Sequence, residues 1–388
     1  MKGKLFTYLQ VLLTIFILIF CLYANCNAQE FIFSQNESNL IKKVDQPSIL
    51  PDWKDGEYHD YYATRDLLIE FNDIYPDLVS IFPIGKSVKN RDIWCIRITN
   101  ENNNSKKFSC SYDGCIHGNE WEGGESCLYF AEYLLINFGK NESITDALNK
   151  SEIYIIPIVN PDGRQRDDRF NYNGIDLNRN FDVHFGRIRG HSLPLGKVLG
   201  LKIFTGIILP FPPYIITNCG RYPFSEPESR AMRDFFLELR YHDFSFSISA
   251  HTAQHYFSRP SDKVIRAEYE MSPREIEVQD YAKSWVENNT EYNASEDNHK
   301  FGWGSSSSYC FKECHIPSFG IELLTPDLDP VFGHGAHNHL VHWMNTSLPV
   351  YLYLLVNIEN FHNWNIPDIE PSLPEGVPPP PIEQKLII

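Results

Sequence analysis

The stretch CSYDGCIHGNEWEGG, residues 110–124, passes from a predicted β-strand through a polar turn into a predicted α-helix. The strand begins earlier, at KKF, and ends at His117; the helix follows, has apolar residues at helical spacing and is closed by Gly139. His117 and Glu120 lie in the turn, and their separation of three residues brings the two side chains to one side. The stretch is therefore either half of a metal site or an ordinary solvated turn.

Strands and helices alternate along the rest of the chain. The predicted helices cover residues 61–72 and 338–358. The predicted strands are VSIFPIG (79–85), DIWCIRI (92–98), EIYIIPIV (152–159), FSFSISA (244–250) and SFGIELL (318–324). EIYIIPIV is almost continuously apolar, as expected of a strand buried on both faces. This order predicts an α/β fold with a mixed, mostly parallel twisted sheet and helices on both faces.

The composition of the 388 residues, 43% hydrophobic and 14% aromatic, is typical of a globular protein with a sizeable core. The net charge of −16 argues against an extended surface for nucleic acid. Two of the nine cysteines lie near the N-terminus, so seven remain, and an odd number leaves at least one thiol unpaired within the chain.

The N-terminus has the pattern of a secretory signal peptide. Lys2 and Lys4 precede an apolar run that extends to Tyr23, and small residues suited to cleavage end at Ala28. We therefore predict a secreted protein, with an uncleaved membrane anchor as the alternative. The predicted divisions of the chain are a signal peptide (1–28), a polar lead-in (29–57), one globular domain (58–362) and a proline-rich tail (363–388).

Three chemically active side chains stand at or near the carboxyl ends of predicted strands: His117, His251 and Glu322. In open α/β sheets this edge is where ligands bind. With Glu120, which follows His117 in the same turn, the two histidines form a set of two imidazoles and one carboxylate that suits a catalytic zinc ion and leaves a fourth position for water. Taken alone, a histidine at the end of a strand, such as His251, more often has a structural role. Glu322 is harder to dismiss, because an unpartnered carboxylate in an apolar strand would cost several kcal/mol.

The segment GIDLNRNF (174–181) contains a candidate receptor for a carboxylate. Asn178 and Arg179 are adjacent, and Arg169 precedes them by about ten residues. A guanidinium presents a planar fork of donors that matches a carboxylate. The alternative is a surface loop in which these arginines pair with the nearby aspartates.

Five motifs occur together in one order along the chain: HGNE (117–120), NPDG (160–163), GIDLNRNF (174–181), SAHT (249–252) and GIEL (320–323). The set resembles the zinc metallocarboxypeptidases, the carboxypeptidase A/B family, from about Tyr58 to Asn360. HGNE is more similar to the regulatory and processing branch of that family than to the digestive branch.

The resemblance implies roles for individual residues. Those that match the zinc ligands are His117, Glu120 and His251, which implies one Zn²⁺ per chain. Glu322 matches the general base, and Arg169 matches the arginine that polarises the scissile carbonyl. Asn178 and Arg179 match the pair that holds the terminal carboxylate of the substrate.

Other positions depart from the family or bear on specificity. The family's spacing for a covering tyrosine falls on Lys300, so Tyr292 or Trp303 would have to cover the site, or the cover is absent. Asp262 falls where members specific for basic residues place an acid, which implies a preference for C-terminal Lys or Arg. Ser307 occupies the position that selects the side chain in digestive members and supplies no anion there.

The predicted function is that of a secreted, monomeric, zinc-dependent exopeptidase that removes the C-terminal residue of peptides or proteins and binds no nucleic acid. An amidase or cell-wall peptidase of the same fold is one alternative. A binding protein that keeps the fold without activity is the other, although the presence of Glu322 argues against it. The insertion 192–219 matches nothing in the family and receives no role.

Overall fold

The structure, a computed structural model, describes most of the predicted domain. The described residues are 51, 58–185, 207–210, 213–216, 218–252, 255–260, 271–296, 304–323 and 340–366. All of them belong to one compact unit, Ser48–Ile388. The predicted signal peptide, the proline-rich tail after 366 and Asp262 lie outside the described residues.

The strands and helices alternate as predicted. The strands are β1 (Val79–Lys86), β2 (Asp92–Ile98), β3 (Phe108–Gly114), β4 (Ser151–Ile156), β5 (Ile207–Pro210), β6 (Pro213–Ile216), β7 (Phe244–Thr252), β8 (Tyr256–Arg259), β9 (Asn293–Glu296) and β10 (Ser318–Leu323). The helices are α1 (Tyr61–Ile74), α2 (Trp121–Asn137), α3 (Glu142–Lys150), α4 (Pro161–Arg164), α5 (Pro227–Leu239), α6 (Pro273–Asn289), α7 (Ser306–Cys314), α8 (Leu340–Val356) and α9 (Ile358–His362).

Eight of these strands form one mixed sheet in the order β1-β2-β4-β3-β7-β10-β8-β9, and β5 and β6 form a separate hairpin. The four central strands, β4, β3, β7 and β10, run parallel to one another. β1, β2 and β8 pair antiparallel in this sheet. The carboxyl ends of the central strands therefore meet at one edge, which confirms the predicted fold class and places the loops that follow them side by side.

Helices cover both faces of the sheet, and the alternation within β4 shows this directly. Ile153 and Ile155 belong to the core beneath α2 and α8, whereas Tyr154 and Ile156 belong to the core beneath α5 and α7. In the sequence of β7, FSFSISA alternates strictly between apolar and polar residues. In the structure all nine of its residues are buried, since the strand lies in the middle of a sheet that is covered on both sides.

The described residues contain no helix with both the length and the apolar character needed to cross a bilayer. The seven cysteines that follow Cys26 are all described and all unbonded, and six of them are buried. Burial in apolar surroundings is a common state for cysteine and requires no disulfide framework in a core of this size.

Candidate metal centre

Three side chains converge at the carboxyl edge of the sheet. His117 and Glu120 lie in the turn between β3 and α2, and His251 is the eighth residue of β7. Nδ1 of His117 lies 2.7 Å from Oε1 of Glu120, and Nδ1 of His251 lies 2.8 Å from Oε2 of the same carboxylate. One ligand atom from each residue lies within 4.8 Å of the other two, and all three side chains are buried.

This donor set fits a zinc ion. Both imidazoles present the same nitrogen, Nδ1, toward one carboxylate, and two imidazoles with one carboxylate suit Zn²⁺ and leave a further position open. Burial disfavours the charged form of Glu120, but His117 and His251 outweigh it and hold the pKa of this carboxyl below its usual range. Glu120 is therefore held as an anion, the form that binds a metal.

Asp176 joins the metal centre to the loop that follows β4. Its Oδ1 lies 3.2 Å from Nε2 of His117 and accepts from the backbone N–H of Asn178 at 3.1 Å. Its Oδ2 accepts from Nε and Nη2 of Arg169 at 3.1 and 3.0 Å. A carboxylate on Nε2 leaves the proton there and the lone pair of Nδ1 facing the metal site. The sequence suggested only ordinary pairing for this aspartate.

The three residues of the candidate substrate site surround that aspartate. Nη1 of Arg169 also donates to Oε1 of Glu120, at 3.2 Å. Asn178 and Arg179 form a 3₁₀ turn that Asp176 caps. Oδ1 of Asn178 accepts from the backbone N–H of Ser306 at 2.9 Å, and its Nδ2 lies 3.5 Å from Nε2 of His251. The segment GIDLNRNF therefore lies directly beside the metal centre.

Glu322 reaches the same site from β10. In the parallel pairing of β10 with β7, Glu322 lies opposite His251, so that both side chains project from the same face of the sheet. Burial lowers the pKa of Arg169, but Asp176, Glu120 and Glu322 outweigh this and raise it above the ordinary value. Glu322 is therefore close enough for its negative charge to stabilise the protonated guanidinium of Arg169 beside the metal centre.

Close backbone packing explains two motif glycines. A Cβ atom at Gly118 would overlap the backbone of Gly163, and one at Gly163 would overlap the side chain of Asn160. The backbone N–H of Gly118 also donates to the carbonyl of Arg169 at 3.3 Å. The HGNE and NPDG motifs therefore pack together. A side chain at Gly118 would move the turn that carries His117, and one at Gly163 would displace the side chain of Asn160.

Glu122 is a further buried residue of the site, and no motif in the sequence indicates its role. Its Oε1 accepts from the hydroxyl of Tyr58 at 2.8 Å, and its Oε2 accepts from the hydroxyl of Thr252 at 3.2 Å. Thr252 follows His251, and its backbone N–H lies 3.4 Å from Oε2 of Glu120. Glu122 thus ties the end of β7 to the first turn of α2. A second acid two residues after Glu120 is visible in the sequence, but its partners are not.

The base of the site loop is anchored to α5. Oε1 of Glu228 accepts from the backbone N–H of Val88 at 3.0 Å, and its Oε2 accepts from Nδ2 of Asn171 at 3.1 Å. Glu226 accepts from the same Nδ2 at 2.8 Å and from Nδ2 of Asn173 at 2.7 Å. Burial is the main cause that raises the pKa of Glu228 to about 7, and the charge of Glu226 adds to it.

This raised pKa makes a prediction about stability. Because the folded protein holds the proton of Glu228 up to about pH 7 and the unfolded chain releases it near pH 4.5, folding is favoured below pH 4.5 and loses this contribution as pH rises to 7. The loss is at most about 3 kcal/mol. We expect Glu228→Gln, which resembles the protonated acid, to flatten the dependence of the free energy of unfolding on pH between 5 and 8.

The measurement is urea unfolding of both proteins at several pH values. Glu238→Gln is the matched control, because Glu238 lies on the exposed side of the same helix. An unchanged pH slope in Glu228→Gln would contradict the prediction.

Of the remaining candidates, only Ser307 and Tyr292 are among the described residues. Asp262, Lys300 and Trp303 lie outside the described residues, as does most of the insertion 192–219. Ser307 is described, half-buried in the first turn of α7. Tyr292 is 1% exposed, and its hydroxyl lies 3.2 Å from that of Thr346, so it is a core residue and not a cover for the site.

Comparisons with known proteins agree with the fold and identify the family. The sequence profile described as Zinc carboxypeptidase matches residues 64–325. Carboxypeptidase D of Drosophila melanogaster is 31% identical over 199 residues, which cover 47% of this chain and 14% of that protein. Carboxypeptidase A6 of Mus musculus is 26% identical over 220 residues, which cover 53% of this chain and 45% of that protein. The chain thus spans less than half of the length of either relative.

Solved structures show the same fold. Bovine thrombin-activatable fibrinolysis inhibitor, in complex with tick carboxypeptidase inhibitor, superimposes with a TM-score of 0.62 at 22% identity, covering 79% of this chain and 98% of that chain. Carboxypeptidase A from Helicoverpa armigera gives a TM-score of 0.57 at 19% identity, covering 85% and 81%.

Proposed function

Because the chain belongs to the zinc carboxypeptidase family, we propose that it is a zinc-dependent exopeptidase that hydrolyses the C-terminal peptide bond of peptides or proteins. The observation that carries this proposal is the convergence of His117, Glu120 and His251. Arg169 and Asn178, from the loop that follows β4, contact Glu120 and His251 at the same edge of the sheet.

One Zn²⁺ per chain would be held by His117, Glu120 and His251. When bound, such an ion supplies a Lewis acid that polarises a carbonyl and makes water nucleophilic at neutral pH. The two Nδ1 atoms and the ionised carboxylate are the donors that this chain offers to it.

The neighbouring residues would perform the remaining tasks. Glu322 takes the proton from the attacking water and passes it to the leaving amine. Arg169 donates hydrogen bonds to the carbonyl oxygen as negative charge develops on it. Arg179 and Asn178 hold the terminal carboxylate of the substrate. A receptor for that group restricts cleavage to the chain end, which favours an exopeptidase over an amidase that acts on another kind of bond.

The specificity proposal is finer and rests on resemblance alone. Asp262 would pair with a basic side chain at the end of the substrate, which favours release of C-terminal Lys or Arg. Ser307 provides no charge of its own. The proposal also includes a secreted monomer whose catalytic domain covers residues 58–362, preceded by a signal peptide (1–28) and a lead-in (29–57) and followed by a tail (363–388).

The test is an assay of the purified protein on short peptides that end in Lys, Arg, Phe or Leu. We expect release of the last residue, loss of release after treatment with a chelator, and recovery when zinc is returned. Each peptide is also supplied with an amidated C-terminus as the matched control, and we expect these peptides to resist cleavage because they lack the carboxylate that Arg179 would hold.

Three outcomes would contradict parts of this proposal. Cleavage that a chelator does not affect would contradict the metal-dependent mechanism. Equal cleavage of amidated and free peptides would contradict the exopeptidase assignment. A preference for Phe over Arg would contradict the role given to Asp262.

A further inference from the structure

Buried polar side chains on one face of β7 form two hydrogen-bonded pairs with side chains of the neighbouring strand β3. In the first pair, the hydroxyl of Ser111 donates to the hydroxyl of Ser247 at 2.9 Å. In the second pair, the hydroxyl of Ser249 donates to Oδ1 of Asp113 at 2.7 Å. The register of the two parallel strands places each pair directly opposite. Only the second pair adjoins the metal centre.

Ser249 also contacts the metal-site histidine, since its Oγ lies 3.3 Å from Nε2 of His251. A serine hydroxyl has one proton, and the ionised carboxylate of Asp113 can only accept. If the proton of Ser249 goes to Asp113, the serine oxygen offers a lone pair to Nε2. His251 then carries its proton on Nε2 and presents the lone pair of Nδ1 to the metal site.

A second neighbour of His251 favours the opposite tautomer. Nδ2 of Asn178 is a donor and lies 3.5 Å from Nε2, and the contact of Asn178 with Ser306 fixes this orientation of the amide. A donor at that place favours a lone pair on Nε2 and a proton on Nδ1, where a metal could not bind. A distance of 3.5 Å is at the outer limit for a hydrogen bond, so the contact with Ser249 is the stronger of the two.

Fold stability alone does not explain Asp113. The residue is 1% exposed, and within the described part of the chain its Oδ2 has no hydrogen-bond partner. A buried carboxylate with a single hydroxyl donor is costly. Burial raises the pKa of Asp113 to about 6, while Ser249 and His251 oppose the rise. The group is therefore an anion at pH 7.5 and can draw the hydroxyl proton toward itself.

We propose that Asp113 and Ser249 are a positioning pair that holds His251 in the tautomer able to bind the metal. The pair acts on His251 as Asp176 acts on His117. Each metal-site imidazole thus has its own carboxylate, since Asp176 contacts His117 directly and Asp113 acts on His251 through the hydroxyl of Ser249. The inference rests on the proposed zinc site and adds two residues to it.

The test compares Ser249→Ala with Ser247→Ala in the full chain. Both variants remove one buried hydroxyl from a cross-strand pair between β3 and β7, but Ser247 has no contact with His251 among those described. The dissociation constant for Zn²⁺ is measured at pH 7.5 by competition with a chromophoric chelator. Thermal unfolding of the metal-free proteins shows how far each substitution loosens the fold.

We expect Ser249→Ala to weaken zinc binding about 10- to 100-fold and Ser247→Ala to leave it within about threefold, with similar melting temperatures. Asp113→Asn keeps the shape of the side chain and should weaken zinc binding in the same direction, because a neutral amide no longer commits the hydroxyl proton. Equal weakening by both serine variants, or none by Ser249→Ala, would overturn the inference. An unchanged affinity in Asp113→Asn would remove Asp113 from it. A wild-type protein that binds no zinc would contradict the proposed function instead.

Discussion

Replacement of Glu322 by glutamine is expected to lower kcat by about 100- to 10,000-fold while zinc remains bound. Glutamine has nearly the same shape as glutamate but cannot take a proton from water. Glu322 is half-buried near the end of β10, opposite His251 in the register, and it is not one of the three clustered metal-site residues. Loss of the proton acceptor should therefore leave the zinc affinity within a few-fold of that of the wild type.

The measurement combines steady-state kinetics with zinc analysis of the same preparation. Glu313→Gln is the matched control, because Glu313 lies at the partly exposed end of α7 and contacts Lys312. Its kcat should remain unchanged. Full activity in Glu322→Gln would show that another group accepts the proton. Loss of activity together with loss of zinc would assign Glu322 to the metal site itself.

Replacement of Arg169 is expected to have the second largest effect, a decrease in kcat of about 100- to 1,000-fold, which corresponds to about 3–4 kcal/mol. The guanidinium donates to Asp176 and to Glu120 and is 24% exposed, so it can also face a substrate. Its proposed partner, the carbonyl oxygen, becomes strongly negative only in the transition state. Arg169→Lys should therefore lower kcat and change KM little, because a point charge cannot reproduce the planar fork.

Arg179 provides the contrasting case for this experiment. Its proposed partner is a carboxylate that is charged before, during and after the reaction, so Arg179→Lys should mainly raise KM. Zinc content is measured for both variants, because Arg169 contacts Glu120. A rise in KM for Arg169→Lys with unchanged kcat would exchange the roles of the two arginines. If the zinc content of Arg169→Lys falls as far as its kcat, Arg169 supports the metal site instead of acting on the substrate.

Much of the sheet could be predicted because its strands are bounded by clear changes in apolar pattern. DIWCIRI matches β2 residue for residue, and VSIFPIG differs from β1 by one residue. The structure adds helices that were not predicted, such as α3, α5 and α6. Ile144, Ala147 and Leu148 in α3 do lie at helical spacing, as do Met232, Phe235 and Leu239 in α5. α6 did have a readable signal, a capping box between Ser272 and Glu275, but its apolar stripe is weak because its buried face includes polar residues.

The residues that could not be predicted are those whose roles depend on contacts across the sheet. Asp113 and Ser249 are separated by 136 positions, and each alone is an ordinary polar residue in an alternating strand. Glu122 likewise acquires its partners Tyr58 and Thr252 only when the end of β7 and the segment before α1 meet at the first turn of α2. The strict alternation of β7 also does not reveal that all nine of its residues are buried, because the covering of both faces depends on distant parts of the chain.

Through short motifs and local periodicity, the sequence indicated the family and the positions along the chain of the strands that end at the site. It also supplied the identities of the side chains that could bind a metal, relay a proton or hold a carboxylate. The tertiary structure alone decided that His117, Glu120 and His251 meet, and which atoms face inward. The physical reason is that coordination and tautomer choice depend on distances of a few ångströms between distant parts of the chain, and the pairing of parallel strands sets those distances.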